Sequence, residues 1–212
     1  MRLTKLGHSC VRLEKDGAVL LIDPGIWSGD DPLTGASAVL ITHEHIDHLD
    51  PARVHAALDA DAGLELWTTA SVAAQFSDFG GRVHAVGDGD AFSAAGFEIH
   101  VHGREHAPVH PDLPVVANVG FTVDGKIFHP GDAFTIPQEK VPTLLLPISA
   151  PWLKAVDMIE YARAVAPEIS YAIHDEMLNA NGIAIVGQIA NGLARPGDGR
   201  YARLEPGTSV EI

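Results

Sequence analysis

Thr42-His43-Glu44-His45-Ile46-Asp47-His48-Leu49-Asp50 follows directly on the apolar run Ala38-Val39-Leu40-Ile41. A short continuous apolar run bounded by polar residues reads as a buried strand. Here the strand ends in imidazoles and carboxylates, which packing does not explain. Charged and imidazole groups at the edge of a core need partners, and the commonest shared partner is a divalent metal ion.

Outward from this stretch the chain alternates between strands and helices. Upstream, Cys10 to Glu14 alternates and Ala18 to Ile22 is continuously apolar. Asp16-Gly17 between them is a hairpin signal, and Asp23-Pro24-Gly25 stops the second strand. Downstream, Asp50-Pro51 reads as a cap with proline at the first helical position, and Val54, Ala57 and Leu58 supply the apolar stripe. Leu64 to Thr68 reads as a strand, and Ala70 to Phe79 as a helix ended by Gly80-Gly81.

From Arg82 to Phe128 the pattern is mostly β. Phe97 to His102 alternates strictly, and Val115 to Val123 is expected to pair across Asp124-Gly125 with Lys126 to His129. Thr143 to Leu146 is a further buried strand. Lys154 to Val165 has helical spacing up to Pro167, Ile169 to Ile173 is a strand leading to His174, and Gly182 to Leu193 a helix. Tyr201 to Leu204 and Thr208 to Ile212 close the chain as strands. Leu21-Ile22-Asp23-Pro24-Gly25 is faintly echoed by Phe128-His129-Pro130-Gly131-Asp132. Two β-rich halves with helices after the strands predict two sheets face to face with helices outside, rather than a parallel doubly wound sheet.

The bulk composition narrows the function. With 212 residues and 46% hydrophobic content the chain can bury a sizeable core, and residues 1–212 are expected to form one domain. A formal charge of -14 disfavours an electrostatic grip on nucleic acid or on an anionic membrane surface. The single cysteine, Cys10, excludes an intramolecular disulfide and reads as a small core residue. The first residues hold no apolar signal segment, and Leu144-Leu145-Leu146 is cut off by Pro147, far short of the ~20 residues of a membrane helix. The expectation is a cytoplasmic protein acting on a small molecule, with no nucleic-acid or membrane partner; a homo-oligomer stays open.

A metal site needs several imidazole or carboxylate donors, at about 2.0–2.2 Å for zinc. His43 and His45 lie two apart on a tight turn and can point the same way; Asp47 and His48 follow and can face a second ion. Further donors are expected at strand exits. His106 follows the strand ending near His102, Asp132 sits in the turn after His129, and His174 ends its strand ahead of Asp175-Glu176.

The run H-E-H-I-D-H matches the H-x-H-x-D-H signature of the metallo-β-lactamase superfamily, and the later His, Gly-Asp and His fall in that family's order. The resemblance covers essentially the whole chain. Leu6-Gly7-His8-Ser9, and His106 through Asn118-Val119-Gly120-Phe121 to Gly131-Asp132, resemble the small stand-alone hydrolase group that also contains the ascorbate-6-phosphate lactonases. The implied fold is a four-layer αβ/βα sandwich of two β-sheets flanked by helices. The implied ligands are His43, His45 and His106 on one metal and Asp47, His48 and His174 on the other, with Asp132 bridging. No ligand position departs from the pattern.

Two kinds of relative fit less well. The di-iron oxygen and nitric oxide reductases carry Glu where this chain has His45, and no flavin domain follows. The RNA-processing members carry a large inserted domain and basic surfaces, which this short acidic chain lacks.

Each candidate has a plainer reading. The histidine cluster could be a solvated loop, but its spacing after a strand fits a metal site. His102 or His110 could replace His106, yet His100 and His102 share one sheet face rather than a strand exit. Asp132 could be only a turn residue, and His174 a buried, satisfied histidine. Asp23 reads as a residue that accepts a hydrogen bond from the histidine loop and fixes it. His8 and His110, and with less support His129, are candidates beside the site or against substrate. Within the opening stretch Ile46 reads as a packing residue and Glu44 as a bystander. His55 and His84 read as ordinary surface or packing histidines. Trp27, Phe134 and Trp152 could line a pocket, though aromatics are more often core.

The implied chemistry is hydrolysis. Two divalent ions about 3.5–4 Å apart hold a bridging water as hydroxide, with zinc the first choice and manganese or iron the alternatives. Asp47 ligates and orients that hydroxide as the catalytic residue. The bond is an ester, lactone or phosphoester. The rival readings are a metal-binding sensor or scaffold without turnover, and a nucleotide phosphodiesterase. The latter would need convergent basic residues, and only Arg104 lies near a proposed ligand.

Overall fold

The computed structural model of the protein describes residues 1–194 and 199–212. Strands β1 (Arg2–Gly7), β2 (Cys10–Lys15) and β3 (Ala18–Ile22) form an antiparallel meander. β4 (Ala38–Ile41), β5 (Glu65–Thr68) and β6 (Val83–Ala85) then add in parallel. In the second sheet β7 (Ala91–Ala94), β8 (Phe97–His102), β9 (Gly120–Val123) and β10 (Ile127–His129) are antiparallel neighbours. β11 (Thr143–Pro147), β12 (Ile169–Ile173) and β13 (Arg200–Ala202) follow in parallel. The last strand, β14 (Ser209–Glu211), returns to pair with β1, so each sheet has seven strands. Both sheets pass from hairpins to parallel crossovers, and they do so at β3 and β10. The Asp-Pro-Gly and Pro-Gly-Asp echo therefore marks the same strand of each half.

Leu13, Leu20, Ile22 and Leu40 of the first sheet pack against Phe97, Ile99, Phe121 and Val123 of the second. The outer face of the first sheet, through Leu21, Val39 and Ile41, takes helix α1 (Pro51–Ala60) on Val54 and Leu58. A short α2 (Ala70–Ala73) adds Val72 there. The outer face of the second sheet, through Phe128, Leu144 and Leu146, takes α3 (Ala155–Val165) on Met158, Tyr161 and Val165. Val186 and Ile189 of α4 (Ala180–Gly192) pack on the same side. The result is the expected four-layer sandwich. Its central strands are covered on both faces, which is why β3 and β4 are continuously apolar and β11 is so after Thr143. Each fully buried Leu or Phe contributes roughly 1.5–3 kcal/mol.

Three elements differ from the sequence pattern. β1 is not signalled, because Arg2, Thr4 and Lys5 break its apolar run; Thr4 and Lys5 are nevertheless buried. The helix expected over 70–79 is α2 plus a 3-10 stretch, Ala74–Arg82, broken at Phe76 and Gly80; Ser77, Asp78 and the two glycines are poor helix formers. The strand expected from Val115 starts only at Gly120. Pro111 and Pro114 remove donors ahead of it, and the N–H groups of Asn118 and Val119 bond to Arg104 O and Thr42 O instead. Among the described residues no helix is long and apolar enough to cross a membrane.

Candidate metal centre

The loop after β4 is held from its first residue. Thr42 donates its N–H to Asp23 Oδ1 at 2.8 Å and its hydroxyl to Asp23 Oδ2 at 2.7 Å. The N–H groups of His48 and Leu49 bond to His45 O, making one helical turn. Leu49 is fully buried and Asp50 caps α1, accepting from Arg53 N at 3.1 Å. The loop lies against the Asp23-Pro24-Gly25 turn through Ile26 N to Ile46 O and Asp50 N to Pro24 O. The approach is so close that a Cβ on Gly25 would sit 2.0 Å from Asp47 O. Ile46 is not a packing residue: the turn swings it outward, and it is 60% exposed.

Two groups of ligand-capable side chains meet at the strand exits. In one, His43, His45, His106 and Asp132 bring donor atoms within 4.8 Å of one another; in the other, His8, Asp47, His48 and His174 do so. Asp132 reaches both: Oδ1 lies 3.0 Å from His48 Nε2, and Oδ2 lies 3.0 Å from His174 Nε2 and 3.3 Å from His106 Nε2. Asp47 Oδ2 lies 3.2 Å from His8 Nε2 and 3.3 Å from His174 Nε2. His8, expected beside the site, stands inside the second group. His110 is not brought to it: its ring is exposed and accepts from Asp112 N at 3.1 Å.

The far nitrogens explain how the rings are aimed. His48 Nδ1 donates to Asp23 Oδ2 at 2.6 Å, His106 Nδ1 to Ala107 O at 2.5 Å, and His174 Nδ1 to Ser149 O at 2.5 Å. His43 Nδ1 lies 3.0 Å from the Thr42 hydroxyl, which is itself committed as donor to Asp23 and therefore accepts. Four Nε2 atoms thus converge with their partners' hydrogen bonds on the opposite side, the arrangement that fixes a metal-binding tautomer. His106 Nε2, His174 Nε2 and Asp132 Oδ1 are buried without a hydrogen bond of proper geometry. Such orphaned donors and acceptors are costly unless something else binds them, and a divalent cation fits this imidazole and carboxylate set.

Charge follows the same geometry. Burial and the neighbouring imidazoles push the proton affinity of His43 and His45 down. Burial lowers the pKa of His8 to about 4 against the pull of Asp47. For His174 burial is outweighed by Asp132 and Asp47, which raise it to about 9; Asp132 and Asp23 likewise raise His48. Burial of Asp47 and Asp132 is outweighed by the histidines, which hold both carboxyls well below the usual range.

Several supporting residues gave little sequence signal. Asn118 accepts from Asp132 N at 3.0 Å and donates to Pro130 O at 2.9 Å, shaping the turn that carries Asp132. Gly131 there has φ 62°, and a Cβ would meet Asn118 Oδ1 at 2.3 Å. His129 is buried below the site, donating to Ser9 O at 2.9 Å and accepting from Gly131 N. Asp175, next to His174, pairs with buried Lys5 at 2.7 Å and with Arg203 at 2.6 Å. Trp152, a candidate pocket wall from sequence, donates its indole N–H to Asp132 Oδ2 at 3.2 Å. His100 and His102 stay on the face of β8 beside Glu139. His55 pairs with Asp59 on α1, and His84 stacks on Trp67.

Comparison with known proteins agrees with this architecture. A relative from Mycobacterium tuberculosis, Protein Rv0786c, is 38% identical over 191 residues, covering 86% of this chain and 89% of its own length. The UPF0173 metal-dependent hydrolase Atu1317 of Agrobacterium fabrum is 34% identical over 110 residues, 45% of this chain and 47% of its own. The solved structure of Igni18, a metallo hydrolase from Ignicoccus hospitalis, superposes with a TM-score of 0.73 at 22% identity, over 99% of this chain and 97% of its own; at that identity the likeness shows the fold. The model of the beta-lactamase superfamily domain matches residues 2–174, from the first strand to the last of the clustered histidines. By that match, and by the sandwich that carries its two donor groups, the chain belongs to the beta-lactamase superfamily.

Proposed function

We propose that this protein is a metal-dependent hydrolase whose centre holds two divalent ions and cleaves an ester, lactone or phosphoester bond in a small molecule. The observation that carries this is the convergence of two four-residue donor groups on the Asp132 carboxylate. His43, His45 and His106 would hold one ion and Asp47, His48 and His174 the other, with Asp132 shared and His8 within reach of the second. Imidazole and carboxylate donors suit zinc first, with manganese or iron as alternatives. Such ions supply a nucleophilic water at neutral pH and a Lewis acid for the electrophile's oxygen.

The chain's own groups do the rest. Asp47, kept ionised by His174 and His8, accepts a hydrogen bond from the attacking water and orients it. His8 stays neutral and donates to Asp47, its other nitrogen accepting from Glu176 N at 3.4 Å. Trp152 pins Asp132 from the outer side. Arg104, which a phosphodiesterase reading would want at the centre, is instead exposed and bound to Asp88 at 3.2 Å.

The test is metal content by elemental analysis, with ester and phosphodiester turnover before and after chelation. Two ions per chain, turnover abolished by chelator and restored by metal, and a loss of at least about 100-fold in Asp47→Ala are expected. Stoichiometric metal with no turnover across the panel would replace the hydrolase by a metal-binding protein of the same fold.

A further inference from the structure

The donor groups form the floor of a cleft of about 220 Å³, below the ~300 Å³ at which drug-sized pockets begin, so it takes one ring or a short chain. Its walls are Trp27, Ile46, Val109, Pro151, Trp152 and Met177; every other lining residue belongs to the donor groups. Four of these wall residues are large apolar side chains standing in solvent: Trp27 is 42% exposed, Ile46 60%, Val109 43% and Met177 45%. Exposed apolar side chains gathered round one opening mark a surface that receives an apolar ligand. The indole N–H of Trp152 is used on Asp132, leaving its ring as hydrocarbon wall, and Trp27 rests edge-on against His8 with centroids 4.8 Å apart.

No Lys or Arg lines this cleft. The adjoining hollow shares His106 and Trp152, and its one cation, Lys154, stands there with Glu105 and Asp157. A phosphate ester would find no side-chain cation in the cleft for its outer oxygens. A neutral carbonyl has no such requirement, and its hydrocarbon would cover the apolar rim.

We propose that the cleft selects neutral carboxylic esters or lactones bearing an apolar group, and discriminates against phosphate esters. This rests on the hydrolase reading above and narrows it. Water's oxygen bonds to the carbonyl carbon and the acyl C–O bond breaks. The products are a carboxylate and an alcohol (one hydroxy acid from a lactone), with one proton released. The reacting carbonyl lies over the histidine and aspartate floor, and the apolar group lies against Trp27, Ile46, Val109 and Met177.

Two readouts test this separately. Two of the three tryptophans, Trp27 and Trp152, line the cleft, while Trp67 is stacked on Phe92 in the core. A neutral phenyl-substituted lactam should therefore quench intrinsic fluorescence in metal-free protein, and phenyl phosphate should not. Ile46→Asp and Val109→Arg, both on exposed positions, should weaken lactam binding about tenfold, the loss of one small apolar contact. In turnover by the metal-loaded protein, p-nitrophenyl butyrate should exceed bis(p-nitrophenyl) phosphate in kcat/KM by at least about 100-fold, and Val109→Arg should narrow that ratio. Preference for the phosphodiester would overturn the cleft proposal while leaving the hydrolase standing. Lactam binding without turnover of any substrate would support the cleft and overturn the hydrolase. No quenching and no ester turnover would overturn the cleft proposal outright.

Discussion

Asp23→Asn isolates the hydrogen bonds that aim the histidines while leaving the shape of the site almost unchanged. Asp23 is fully buried and accepts three hydrogen bonds: Thr42 N at 2.8 Å, the Thr42 hydroxyl at 2.7 Å and His48 Nδ1 at 2.6 Å. Asparagine keeps the first through its carbonyl oxygen but sets an NH2 against the other two. The Thr42 hydroxyl must then turn its proton away from residue 23, which disturbs the orientation of the oxygen that accepts from His43 Nδ1. His48 must move its proton to Nε2, which faces Asp132. One substitution therefore disturbs a donor in each group. Loss of such an outer hydrogen bond typically costs 10–100-fold in metal affinity, about 1.4–2.8 kcal/mol. The metal-free protein should also lose about 1.5–3 kcal/mol, the worth of a buried charge-assisted hydrogen bond. Competition with a chromophoric chelator reads the first quantity and urea unfolding the second. Parental affinity with unchanged stoichiometry would refute the tautomer argument, whatever the stability.

Other perturbations reach different parts of the site. Because Asp132 and its neighbours raise the proton affinity of His48 and His174, the latter to about 9, metal binding near pH 7 should release one proton from each; calorimetry in two buffers of different ionisation heat would show it. The same shifts give the chelated protein a pH optimum. Stability from the raised His174 is full below about 6.5 and lost as pH rises through about 9, and the raised His48 acts in the same direction. For His8, lowered to about 4, stability is present above about 6.5 and lost as pH falls toward 4. Gly25→Ala forces a Cβ to within 2.0 Å of Asp47 O, so the loop must shift; a loss of about 1–3 kcal/mol and weaker binding of one ion of the two are expected, by thermal unfolding and metal titration. Lys5→Met breaks a buried pair and should cost about 3–5 kcal/mol in urea unfolding; the retained Arg203 contact to Asp175 places the loss at the lower end.

The grouping of the candidate donors was legible because they follow strand ends, where polar side chains from separate loops can meet. The sandwich was legible for a related reason, since runs such as Ala18–Ile22 and Ala38–Ile41 are apolar on both faces. What surrounds the donors was harder to read. Ile46 lies inside the motif, yet only the direction of the 45–49 turn decides that it faces solvent. Trp152 reads equally as core or as pocket wall, and only its indole N–H on Asp132 places it at the site. Lys5 and Asp175 lie 170 residues apart, with Arg203 farther still, and nothing local in any of them announces the pairing. Local pattern reports exposure along one element. It does not report which loops two sheets bring together.

That meeting of loops also governs how metal and fold depend on each other. His8, His43, His45, Asp47 and His48 leave the first sheet, while His106, Asp132 and His174 leave the second, and each donor group draws on both. An ion in either group therefore ties the two sheets together and opposes their separation, by roughly 4 kcal/mol when free metal is 1,000 times its Kd. Protein hydrogen bonds already span the same seam: Val119 N to Thr42 O at 3.0 Å, His174 N to His8 O at 3.1 Å and His129 Nε2 to Ser9 O at 2.9 Å. The seam lies above a core built from both sheets, so the metal is not needed to form the interface. Chelation should accordingly lower Tm by several degrees while the far-ultraviolet circular dichroism and a single cooperative transition persist, unlike the collapse of a zinc-finger domain. Loss of cooperative unfolding in the chelated protein would show that the ions, rather than the apolar interface and its hydrogen bonds, hold the two halves in register.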